Sequence, residues 1–90
     1  MSLNTKIVIL ITNDPLILRG LNLLLEDMGF DVISSCDNEE LKNQIANKPN
    51  SPTLLVLPFE LRNGTFGIDL TNELRRFFNC RIPAILLSRE

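Results

Sequence analysis

Short apolar runs, each bounded by helix or turn signals, set the limits on what this chain can fold into. Ile7-Val8-Ile9-Leu10-Ile11 and Thr53-Leu54-Leu55-Val56-Leu57 contain almost no polar position. Each is too short for a helix and rich in branched side chains, so each reads as a strand covered on both faces. A weaker strand over residues 30 to 34 is centred on Val32 and Ile33, and a fourth covers residues 83 to 87.

Helical patterns lie between these runs. Asp14 followed by Pro15 is an N-cap with proline at the first helical position, where a missing N–H costs nothing. Ile17, Leu21, Leu24 and Met28 then recur at helical spacing, which predicts an amphipathic helix over residues 15 to 28 with Glu26 and Asp27 in solvent. Gly29 ends it as a left-handed cap. Asp37 with Glu40 resembles a capping box, and Leu41 and Ile45 continue a second helix to about residue 47. Residues 48 to 52 are a loop by composition, and residues 58 to 67, with Asn63-Gly64, are a second and longer loop. Ile68, Leu70, Leu74 and Phe77 or Phe78 mark a third helix over about residues 67 to 78. The order βαβαβαβ predicts an open parallel sheet with helices on both faces.

Composition excludes several function classes. The chain has 90 residues, enough for one small domain over residues 1 to 90. Its net charge of −2 and scattered Lys and Arg leave no footprint for nucleic acid. Histidine is absent, and the two cysteines, Cys36 and Cys80, form no CxxC, so no zinc site is expected. No apolar run reaches the ~20 residues of a membrane span. No nucleophile–base constellation supports an enzyme, and no GxGxxG follows the first strand, so no cofactor is expected. The thiols read as reduced, which fits a cytoplasmic domain.

The order and loop lengths resemble the response-regulator receiver family. Ile11-Thr12-Asn13-Asp14-Pro15-Leu16 falls where receivers carry an apolar residue, two acids, a variable residue and often Pro-Leu. Arg19-Gly20-Leu21 and Leu24-Leu25-Glu26 look like a receiver first helix. Gly67-Ile68-Asp69-Leu70 resembles the start of the third helix, with Gly67 at the family spacing from Phe59. Pro83-Ala84-Ile85-Leu86-Leu87-Ser88 looks like a fourth strand ending in the switch hydroxyl. The resemblance implies a flavodoxin-like α/β sheet of strand order 2-1-3-4, stopping before the fifth strand of the family order 2-1-3-4-5.

The family's chemistry needs a magnesium ion held by acids after the first strand and by a phosphate-accepting aspartate after the third, because a hard cation offsets the charge of phosphoryl transfer. Thr12 and Asn13 stand where the acidic pair belongs, Phe59 stands at the phosphoacceptor, and Asn63 replaces the usual proline. Ser88 alone is kept, and the family lysine lies beyond residue 90. The resemblance therefore implies a degenerate, unphosphorylated receiver that acts by protein–protein contact in a two-component-type regulator or hybrid kinase. Its partner would be a kinase, phosphotransfer or output domain.

Each site residue also has a plainer reading. Asp14 is a cap and not a metal ligand. Phe59 is an apolar plug for the vacated pocket. Glu60 is the neighbour of the lost phosphoacceptor, and alternation along a strand sends it away from the pocket unless a bulge intervenes. Arg75 and Arg76 read as a solvated helix face. An atypical phosphoacceptor at Glu60 or Ser88 is one competing reading. A small-ligand cleft lined by Thr12, Asn13, Phe59 and Ser88 is another. Leu16, Leu18 and Leu23 fall off the main helical stripe, so some of them are expected to be exposed to a partner, the alternative being that they pack under the loops. A sheet ending at its fourth strand leaves an open edge. A longer polypeptide is the expected explanation, with a homodimer through that strand if the short form is complete.

Overall fold

In the computed structural model, residues 6–35, 38–46, 51–61 and 64–87 are described. The elements follow the expected order: β1 (Ile7–Ile11), α1 (Pro15–Asp27), β2 (Asp31–Ser35), α2 (Asn38–Ile45), β3 (Leu54–Pro58), α3 (Gly67–Phe78) and β4 (Ala84–Leu87). The strands form one parallel sheet in the order β2-β1-β3-β4. This is the flavodoxin-like α/β architecture, with four strands.

Alternation along β1 divides the core. Ile7, Ile9 and Ile11 join Leu55 and Leu57 of β3, Leu41 and Ile45 of α2, and Leu70 and Leu74 of α3. Val8 and Leu10 point the other way, with Val56, and meet Leu18, Leu21 and Leu25 of α1. All five β1 residues are buried, which is why the run carries no polar position. Among the described residues β4 pairs only with β3, and Ile85 and Leu86 on it are exposed.

The buried stripe of α1 differs from expectation. Leu18, Leu21 and Leu25 face the sheet, while Ile17, Leu24 and Met28 are exposed. The helix is apolar on most of its circumference, so helical spacing alone fits several faces. The sheet, and the chain direction set at Asp14-Pro15, select which one is buried. Leu18 is therefore half-buried against the sheet, whereas Leu16 and Leu23 are exposed, at 81% and 60%.

The ends of α1 obey local chemistry. The Asp14 carboxylate accepts a hydrogen bond from the Leu16 N–H at 2.9 Å, as an N-cap should. At the other end, Gly29 adopts φ +98°, donates to the Glu26 carbonyl at 3.0 Å, and Phe30 donates to the Leu25 carbonyl at 3.1 Å. That is the Schellman pattern. It uses Phe30 in the cap and starts β2 one residue later than expected. Asp37 of the expected capping box, Cys36, Asn63 and Ser88 lie outside the described residues.

Candidate functional site

The carboxyl ends of β1 and β3 lie side by side, and the segments leaving them meet at the edge where the strand-end cleft is expected. Parallel strands place every strand-to-helix turn at this edge, which is where open α/β sheets gather functional side chains. Thr12 is buried, and its hydroxyl oxygen accepts from the Asp14 N–H at 3.2 Å. The Asn13 side-chain amide donates to the Glu60 carbonyl at 2.9 Å. This bond ties the turn after β1 to the turn after β3 across 47 residues of sequence. The tie is made to the main chain of Glu60, and the Glu60 residue is exposed.

Phe59 does not fill the cleft. It is 59% exposed. Strand parity places it on the α2/α3 side with Leu55 and Leu57, and its ring meets Phe66 edge-on, with centroids 5.9 Å apart at 68°. The ring finds its apolar contact on Phe66. The plug reading is therefore corrected: the pair stands at the rim with both rings accessible.

The segment between β3 and α3 folds back on itself. Glu60 and Phe66 form an antiparallel bridge, Leu61 donates to the Thr65 carbonyl at 2.7 Å, and Gly64 turns the chain at φ +88°. Phe66 escaped the sequence reading, because no local pattern sets it beside Phe59, seven residues earlier. Gly67, which opens α3, is buried, and its N–H donates to the Phe59 carbonyl at 2.8 Å. A Cβ at Gly67 would collide with the Pro58 carbonyl oxygen. The glycine at this spacing is thus explained by close approach of α3 to the end of β3.

Chemically, the cleft offers a hydroxyl, a carboxamide and main-chain groups. The Asp14 carboxylate caps α1. Among the described residues, no three His, Cys, Asp or Glu side chains come together as a metal site. A hard divalent cation is held by several oxygen ligands, carboxylates foremost. Thr12, Asn13, Asp14, Glu60, Phe59 and Gly67 are thus brought to one edge of the sheet.

No family model matches the chain. It is 28% identical over 81 residues to the phyllosphere-induced regulator PhyR of Methylorubrum extorquens, covering 90% of this chain and 30% of that one. The chain thus spans under a third of the length of this curated relative. Among solved structures, the MaeR response regulator bound to beryllium trifluoride matches at 27% identity and TM-score 0.71, covering 96% of this chain and 69% of that one. The anti-anti-sigma factor PhyR from Bartonella quintana matches at 26% identity and TM-score 0.70, covering 91% of this chain and 32% of that one. A response-regulator receiver-domain protein from Clostridium thermocellum shares the fold at TM-score 0.76 and 19% identity. These similar proteins are regulators. No helix among the described residues is long and apolar enough to cross a membrane. In sequence and in fold, what this chain is similar to is the response-regulator receiver domain.

Proposed function

We propose that the chain is a degenerate receiver-like signalling domain that is not phosphorylated and acts through protein contact. The carrying observation is the Asn13–Glu60 bond, which spans the cleft with neutral groups where phosphoryl chemistry needs gathered carboxylates and a cation. Thr12 and Asn13 hold the turn after β1, Asp14 caps α1, and Gly67 lets α3 sit against β3. All four serve architecture in this reading. In this reading Ser88 is the remaining position of the degenerate pocket, and Asn63 belongs to the loop after β3.

The rim supports contact with a protein. Phe59 and Phe66 are exposed at the strand ends, and Leu16 is exposed in the first turn of α1, which starts at the same edge. Aromatic side chains flanked by apolar ones are the groups that anchor protein interfaces. The partner is a kinase, phosphotransfer or output domain, met in the cytoplasm.

The test is incubation with a small phosphodonor and Mg²⁺, read by intact mass, beside a phosphorylatable receiver as positive control. The proposal expects no added phosphoryl mass on this chain. A stoichiometric adduct mapped to Glu60 or Ser88 would replace it with the atypical phosphoacceptor reading.

A further inference from the structure

At the opposite edge of the sheet, α3 ends and the chain turns into β4. Asn79 takes the left-handed conformation (φ 51°, ψ 47°) and closes the helix, and Ile82 returns to the core. Three of the chain's nine Lys and Arg residues fall between positions 75 and 81. Arg75, Arg76 and Arg81 line an open depression of about 430 Å³ with Asn72, Asn79 and Cys80. Among the described residues no carboxylate lines it.

Two of these arginines have an ordinary reason to be here. Cations in the last helical turn offset the helix dipole, and Arg75 and Arg76 sit in that turn. Arg81 lies past the helix end, so the dipole does not account for it. Arg75 is also held in place: its Nε donates to the Ile82 carbonyl at 2.9 Å, leaving its two terminal nitrogens unused by that bond. Among the described residues, no carboxylate pairs with Arg75, Arg76 or Arg81. Glu73 of the same helix pairs instead with Lys42 at 3.0 Å.

We infer that this depression docks an acidic segment of a partner protein, taking its Asp and Glu carboxylates on the guanidinium groups. A guanidinium presents paired N–H donors that match a carboxylate, and Arg75 is pre-positioned to do so. The surface is a local reversal of sign on a chain of net charge −2. It therefore attracts an acidic segment that the remainder of the molecule repels. Its shape selects among anions. An open bowl does not enclose a small anion, and three arginines in one spot do not form the row of phosphate contacts that a nucleic acid requires. This surface is separate from the strand-end cleft and stands or falls without it.

The test is fluorescence anisotropy with a short labelled glutamate-rich peptide. Three proteins are compared: the unaltered chain, R76E/R81E, and a control of the same net charge, K6E/R19E, whose changes lie on exposed residues elsewhere. Circular dichroism confirms that each is folded. The inference predicts saturable binding that weakens with salt and falls about tenfold or more in R76E/R81E only. It also predicts that the peptide slows alkylation of the exposed Cys80, read by peptide mapping. Absence of saturable binding, or equal loss in both variants, would overturn it. Tighter binding of an oligodeoxynucleotide of matched charge would overturn it in favour of nucleic acid.

Discussion

Gly67→Ala is the sharpest test of how α3 is seated on β3. The new methyl group would overlap the Pro58 carbonyl oxygen and lie 3.0 Å from Leu86 Cδ2. The leucine tip can rotate away, but the carbonyl belongs to a residue paired with Leu87 in β4. Relief therefore requires shifting the end of β3 or the start of α3. Overpacking of this kind costs about 1–3 kcal/mol. Weakening the Gly67–Phe59 backbone bond adds about 1 kcal/mol. Alanine's better helix propensity returns at most about 1 kcal/mol. The net loss is about 2 kcal/mol, which lowers the melting temperature of a domain this size by about 8–16 °C. Gly20→Ala is the matched control, because a Cβ there meets nothing within 4 Å. In mid-helix it should stabilise by about 0.5–1 kcal/mol. Urea and thermal denaturation followed by circular dichroism measure both. Equal stability of Gly67→Ala and the unaltered chain, or upward shifts in both variants, would refute the close-approach reasoning.

Other expectations follow from single contacts. Asp14→Ala should cost about 1 kcal/mol, while Asp14→Asn, which can still cap, should cost much less. A double-mutant cycle on Phe59 and Phe66 should give a coupling of about 0.5–1.5 kcal/mol, because the rings meet edge-on at 5.9 Å; zero coupling would remove the rim pair. Leu70→Ala should cost about 2–5 kcal/mol, since Leu70 is wholly buried under the sheet. Leu23→Ala, on the exposed flank of α1, should fall within about 0.5 kcal/mol of the unaltered chain.

The sheet was legible in the sequence because β1 and β3 are apolar on both faces, a pattern that few elements other than interior parallel strands show. The caps at Asp14 and Gly29 were legible because each has one local chemical function. The orientation of α1 was not. Seven of its thirteen residues are Leu or Ile, so periodicity gives no unique inward stripe, and only packing against Val8, Leu10 and Val56 selects Leu18, Leu21 and Leu25. The site divided in the same way. The neutral character of Thr12 and Asn13 is a property of the residues themselves and could be read directly. The position of the Phe59 ring depends on Phe66, seven residues further on, and on a turn that returns the chain to the strand end. Nor did adjacency of Arg75 and Arg76 announce Arg81 beside them, because the left-handed residue Asn79 brings the chain round.

The central claim is that the edge formed by Thr12, Asn13 and Glu60 does not gather a divalent cation. Titration with Mn²⁺, followed by paramagnetic broadening of amide resonances, measures this most directly. The account predicts that Thr12, Asn13, Phe59 and Glu60 broaden no more than exposed residues elsewhere on the chain. Selective broadening of those four amides at low Mn²⁺, reversed by excess Mg²⁺, would contradict it.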